Sequence, residues 1–187
     1  MPEWDSHGCA SVPPRLAESL RSCDDHGVTI SEPYEEVLEG EALTRRAPGR
    51  RHEQICARLH QCVLAGVANL RGIRLLAPRS SIQLSRNSKV CPDLALVTVP
   101  HGKLWLAAEI VNSEDHRADT VIKKLLYEEL RLPRLWMIDP RYDNVEIYHA
   151  TQYGLALRSM LAGHELLTEK LLPEFQMDVT DLFRASP

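Results

Sequence analysis

No apolar run in the chain approaches the roughly 20 residues of a membrane-spanning helix. The amino terminus, Met1-Pro2-Glu3-Trp4-Asp5, lacks the basic and apolar regions of a secretion signal. Basic residues are not in excess either. The chain carries 22 Lys and Arg against 26 Asp and Glu, a formal net charge of −4. That balance excludes a grip on nucleic acid by the charge of the whole chain, so any such contact must come from a local patch. None of the cysteines at positions 9, 23, 56, 62 and 91 forms a Cys-x-x-Cys pair, and scattered thiols without a secretion signal read as reduced. His7, Cys9, Cys23 and His26 could supply four zinc ligands, but their spacing matches no standard finger. Internal repeats and low-complexity segments are absent too. What these absences leave is a cytoplasmic globular domain, and 187 residues with 44% hydrophobic content suffice for one core.

The informative stretch runs from Cys91 to Tyr127. Leu94–Val99 and Leu104–Val111 are apolar, β-branched runs of strand length, and Pro100-His101-Gly102 between them is hairpin chemistry. A loop symmetric about His101 sets Asp93 directly opposite Glu109. Directly opposed residues share a face of the sheet, with Cβ atoms about 4.5–5.5 Å apart. A slip of one residue would send the two carboxylates to opposite faces. Paired carboxylates at a hairpin edge are costly unless positive charge stands between them, and hard oxygen ligands suit Mg²⁺ or Mn²⁺. The plain alternative is that Asp93 is turn chemistry after Pro92 and that Glu109 points to solvent or meets an arginine.

Asn112, Ser113, Glu114 and Asp115 then suit a helix start. The pattern predicts a helix over Ala118 to Leu130 with apolar positions Ile122, Leu125, Leu126 and Leu130. Asp119, Lys123 and Tyr127 follow one another at helical spacing on a different side from that apolar stripe. Lys123 could reach across to the carboxylates, or it could form a surface ion pair with Asp119.

Elsewhere the chain reads as alternating elements. Residues 1–30, with Pro13-Pro14 and a short helical segment from Arg15 to Ser22, form an extension that is either a mobile arm or a packed helix, and residues 31–187 form the domain. Tyr34–Leu38 and Glu41–Thr44 predict a small hairpin turning at Glu39-Gly40. The run Arg45-Arg46-Ala47-Pro48-Gly49-Arg50-Arg51 predicts a basic loop, and its Arg45, Arg46, Arg50 and Arg51 are candidates for holding a phosphate backbone, or else an exposed charge run. A helix starting at His52 carries Ile55, Leu59, Cys62, Val63, Val67 and Leu70 on one face. Cys56 and His60 read as its core and boundary residues. Ser81–Ser85 is expected as the strand before Asp93. Arg134–Asp139, Val145–His149 and Tyr153–Met160 are expected as strands, with Trp136 as core packing, and Leu171–Phe183 closes the core with a short strand or turn and a cap.

Several of these residues carry a resemblance. Pro92-Asp93, Glu109-Ile110-Val111-Asn112-Ser113, Asp119 with Lys123 and Tyr127, and Leu135-Trp136-Met137-Ile138-Asp139-Pro140 resemble the Uma2 family of endonucleases. So do Tyr34-Glu35 through Gly40-Glu41, His52, and Leu172-Pro173 through Leu182-Phe183, so that the likeness covers residues 32 to 184. That family belongs to the PD-(D/E)xK nucleases. The resemblance implies an α+β, restriction-endonuclease-like core in which a mixed sheet is flanked by two long helices. It implies metal ligands at Asp93, Glu109 and the Ile110 carbonyl. The wider superfamily has its lysine two positions after the glutamate, where this chain has Val111, so Lys123 on the following helix takes that role, ahead of its neighbour Lys124. In related nucleases the first helix can also lend a residue to the site, which makes Glu53 and Gln54 further candidates.

The reading is metal-dependent hydrolysis of DNA phosphodiesters, with Mg²⁺ or Mn²⁺ as cofactor and DNA as partner. A module of the same fold that binds nucleic acid or a protein with little turnover is the alternative, and a homodimer is a third role open to the fold.

Overall fold

The computed structural model describes residues 32–99, 101–112 and 116–185. The expected extension, and with it His7, Cys9, Cys23 and His26, lies outside the described residues. No helix among them is long and apolar enough to cross a membrane.

The first hairpin joins β1 (Tyr34–Leu38) to β2 (Glu41–Arg45). Its two turn residues, Glu39 and Gly40, both have positive φ (53° and 89°), the backbone twist that tight hairpins require. Helix α1 (Arg50–Val67) follows, starting two residues before His52. Three short strands come next, β3 (Ile73–Leu75), β4 (Ile82–Ser85) and β5 (Ser88–Val90). Of these only β4 was expected. The strand directly before Asp93 is β5, and β4 and β5 pair with the first hairpin in a four-stranded sheet.

The central sheet is built on β6 (Leu94–Thr98) and β7 (Leu104–Ile110), followed by β8 (Arg134–Asp139), β9 (Asn144–Thr151) and β10 (Gly154–Ala162). Its order is β10-β9-β8-β7-β6-β3, antiparallel throughout except that β7 and β8 run parallel. A parallel pair needs a crossover. Here it is a π-helical segment, Ala118–Lys123, continuing into α2 (Lys124–Glu129). The hairpin β11 (Leu166–Glu169) with β12 (Leu172–Asp178) and helix α3 (Val179–Phe183) complete the chain.

Both faces of the central sheet are covered, which is why β6 and β7 are almost wholly buried and apolar. On one face Ile55, Leu59 and Val63 of α1 pack with Leu106, Ala108, Ile110, Trp136 and Phe175. Trp136 stacks on Phe175 with ring centroids 5.4 Å apart, as core packing. On the other face Ala107, Val111, Leu135 and Met137 meet Leu126 and Tyr127 of α2 and Leu38 of β1. The alternation along β7 puts Glu109 on this second face, between Ala107 and Val111.

Candidate active site

The hairpin register carries the site. Leu94 pairs with Ala108, Ala95 with Ala107 and Leu96 with Leu106. One further step of the same register sets Asp93 opposite Glu109, the pairing expected of the hairpin, although it is reached through a bulge between Leu96 and Val97 rather than through a loop symmetric about His101. Both carboxylates are buried.

Glu109 Oε2 accepts from Lys123 Nζ at 2.9 Å, and its Oε1 accepts from the Tyr127 hydroxyl at 2.5 Å. Lys123 Nζ also lies 2.8 Å from Glu36 Oε1 and 3.4 Å from Asp119 Oδ1. Arg45 closes the far side, donating from one nitrogen to both oxygens of Asp119 at 2.8 Å, with Nε 3.7 Å from Glu36. Glu36 in turn accepts from the Cys91 N–H at 2.7 Å. The result is one buried network from four elements.

Asp93 is held separately. Its Oδ2 accepts from the Ile110 N–H at 2.9 Å, and its Oδ1 meets His52 Nε2 at 2.8 Å and Arg79 at 3.1 Å. Arg79 also donates to both oxygens of Glu53, at 2.8 and 2.9 Å. His60 Nε2 sits 2.7 Å from the Asp93 carbonyl oxygen, and the Cys56 thiol 3.6 Å from the same atom. The core and boundary residues expected of α1 therefore brace the Asp93 backbone.

The electrostatics separate the two carboxylates. Burial works against ionisation of Asp93, but His52, the Ile110 N–H and Lys123 hold its pKa down to about 2. Burial pushes Glu109 up to about 7, and Asp119, Glu36 and Asp93 add to the rise while Lys123 opposes it. Burial alone would lower Lys123, yet Glu109, Asp119 and Glu36 raise it well above its ordinary value, so it stays an ammonium. His52 is raised as well, because Asp93 outweighs its burial.

Of the two readings of Lys123 the structure takes the first, contact with Glu109, rather than a surface ion pair with Asp119. Asp119, Lys123 and Tyr127 are all buried, while Leu125 and Leu130 of the apolar stripe are 56% and 39% exposed. The helix is turned by the charge network, because Lys123 and Asp119 find more partners inside than a surface ion pair could offer. The expected basic loop is divided. Arg45 is the last residue of β2 and is buried against Asp119, whereas Arg46, Arg50 and Arg51 are exposed and Arg51 pairs with Asp143 at 2.5 Å. Lys124 points elsewhere, its Nζ 4.0 Å from the Tyr148 ring centroid. Gln54 lines a separate surface cavity with Arg50 and Arg51.

Glu36 and Arg79 escaped the sequence reading. Glu36 could have been found, because strand alternation puts it on the same face as Tyr34 and Leu38, and a charge at an inward position demands a partner. Arg79 adopts a left-handed φ of 53° in a loop, and nothing in its sequence neighbourhood signals that.

A family model described as "Putative restriction endonuclease", that of Uma2, matches residues 31–180. The chain belongs to the Uma2 family. Among solved structures, a "putative nuclease" from Anabaena variabilis is similar, with a TM-score of 0.67 and 18% identity over 82% of this chain and 92% of that one. At that identity the likeness speaks for the fold, which is restriction-endonuclease-like. No curated protein matches the chain. The Uma2 match spans every residue of the network, from Glu36 to Tyr127.

Proposed function

We propose that this Uma2 chain hydrolyses phosphodiester bonds of DNA with the help of a bound divalent cation, Mg²⁺ or Mn²⁺. The observation that carries the reading is the hairpin register that sets buried Asp93 opposite buried Glu109, on the face that receives Lys123.

The donor chemistry fits such an ion. Mg²⁺ takes one or two protein carboxylates and keeps several waters. Glu36, Asp93, Glu109 and Asp119 are buried together, with Arg45 and Lys123 among Glu36, Glu109 and Asp119, and Arg79 and His52 on Asp93, so an ion would enter a site dense in carboxylate oxygen. Burial, joined by Asp119, Glu36 and Asp93, raises the pKa of Glu109, and a bound divalent cation would favour its ionised form. Among the described residues no three His, Cys, Asp or Glu side chains are grouped to hold a metal by themselves. The ligands in this reading are Asp93, Glu109 and the Ile110 carbonyl. When bound, the ion would polarise the phosphodiester and activate the attacking water.

The remaining work falls to the chain's own side chains. Lys123, fixed as an ammonium 2.9 Å from Glu109, offers positive charge to a phosphate whose oxygens become more negative in the transition state. Tyr127 donates to Glu109 and fixes its orientation. His52 and Arg79, with the Ile110 N–H, do the same for Asp93. Of the candidate backbone contacts, Arg46, Arg50 and Arg51 are exposed, with Arg51 paired to Asp143 there.

A second reading also has an observation behind it. Each Asp93 oxygen already accepts a hydrogen bond, and the charges of the site close on one another, which suits a module that binds nucleic acid with little turnover. The deciding experiment pairs metal calorimetry with plasmid nicking, on wild type and Asp93→Ala. Loss of both metal binding and nicking in the variant supports the nuclease. A wild type that retains DNA yet neither binds metal nor nicks would leave the binding module.

A further inference from the structure

A cavity of about 620 Å³ opens between β9, β10 and the β11 end of the last hairpin, and none of the residues of the charge network lines it. Its size lies within the range of small-ligand sites. The walls are apolar, from Ile147, Leu157, Leu161 and Leu166, while its charged residues are Arg134, Arg158, Lys170 and Glu169.

The single carboxylate is already committed. Glu169 is buried, its Oε2 accepting from Arg134 Nε at 3.0 Å and its Oε1 from the Leu171 N–H at 3.3 Å. Arg158 and Lys170 are exposed, and neither makes a hydrogen bond or ion pair among the described residues. His149 registers the resulting field. Partial burial and the charges of Arg134, Arg158 and Lys170 lower its pKa, against the opposing pull of Glu169. In a chain whose net charge is −4, two cations without carboxylate partners thus face one cavity.

The backbone is shaped to bring them there. The pairing of β10 with β9 shifts between Leu157 and Ser159, leaving Arg158 as the additional residue of a β-bulge. Adjacent residues of a regular strand point to opposite faces, yet Ala156, Leu157, Arg158 and Ser159 all line the cavity. Bulges re-aim side chains in this way, and they cluster at sheet edges such as β10.

An arginine fork beside a lysine point charge is the chemistry that recognises phosphate, and the apolar walls suit a ring. We propose that this cavity binds the phosphate and ring of a nucleotide unit, free or within a polynucleotide, as a second phosphate site apart from Asp93 and Glu109. The polynucleotide source rests on the nuclease reading, whereas the free-nucleotide source does not.

The test uses the full chain with EDTA present, so that hydrolysis plays no part. Adenosine monophosphate and a short single-stranded oligonucleotide are titrated into wild type, into the double variant Arg158→Glu, Lys170→Glu, and into Lys103→Glu. Both reversed positions are exposed, and circular dichroism checks that the double variant folds. Affinity should fall at least about tenfold in the double variant and stay unchanged in Lys103→Glu, a charge reversal at an exposed position outside the cavity. The salt dependence of oligonucleotide binding should flatten by about 1.4 in log–log slope for two phosphate contacts. By NMR, the His149 pKa should rise when ligand is bound. Binding of mononucleotide alone identifies the free source, and binding of oligonucleotide alone identifies the polymer. No binding of either, equal binding by the double variant, or equal competition by polyglutamate would overturn the proposal. Failure of nicking in the wild type leaves the mononucleotide arm standing, so the two readings can fail separately.

Discussion

Lys123 and Arg45 show how a charged side chain becomes structural. Each is buried, and each is held by more than one carboxylate. Breaking such a network by removing one partner costs about 3–5 kcal/mol, because the orphaned charge stays in a poor solvent. Asp119→Ala removes the two-point partner of Arg45 and a neighbour of Lys123 together. Urea unfolding should show a loss in that range. The exposed pair Arg51–Asp143 offers the contrast, since Arg51→Ala should change stability by less than about 1 kcal/mol. The same two arginines separate structure from binding. Arg45→Met should weaken the fold while leaving the salt dependence of DNA binding where it was, and a flattened slope in Arg45→Met would mean that Arg45 reaches phosphate after all.

At the scale of elements, the packing of α1 on β12 depends on a glycine. A Cβ built at Gly66 would stand 2.8 Å from the Phe175 Cβ and 3.3 Å from its Cα. Ala is the better helix former by about 1 kcal/mol. Overpacking against a backbone costs about 1–3 kcal/mol, and Phe175 is pinned by its stack on Trp136. Gly66→Ala should therefore be destabilising by thermal unfolding, and a raised Tm would show that α1 can slide outward. The elements also mark what was legible in the sequence. The two strands of the β6–β7 hairpin were readable because they are apolar and joined by a short loop, whereas the one-residue shift between Leu96 and Val97, through which Leu94 comes to pair with Ala108, leaves no mark in the sequence. Strands β3, β5 and β11, of three or four residues each, are too short to show a period. For the helix carrying Lys123 the pattern leaves two readings open, contact with the carboxylates or a surface ion pair with Asp119. An apolar stripe normally faces inward, but Glu36 and Arg45 arrive from a hairpin some 80 residues earlier in the chain, and only their arrival makes the charged side the better one to bury.

For the molecule as a whole, the sheet and its helices gather the buried carboxylates Glu36, Asp93, Glu109 and Asp119, with Arg45 and Lys123 among three of them and Arg79 and His52 on Asp93. In the proposed reading a native state that gathers these carboxylates should bind a divalent cation that the unfolded chain does not organise, and such a ligand stabilises in proportion to the logarithm of its saturation. At a hundred times Kd the gain is about 2.7 kcal/mol. For a chain of this size that corresponds to a rise in Tm of about 5–10 °C. Mg²⁺ or Mn²⁺ should therefore raise the wild-type midpoint, and EDTA should return it. Glu109→Gln removes one negative charge at nearly constant shape, and Asp93→Asn removes the other. Each variant should lose most of the metal-induced rise while keeping a cooperative transition. A rise that survives in both variants would place the ion elsewhere in the molecule. A wild type indifferent to both metals would mean that Lys123 and His52 already balance the site, which is the electrostatic state of a binding module rather than of a metal-dependent nuclease.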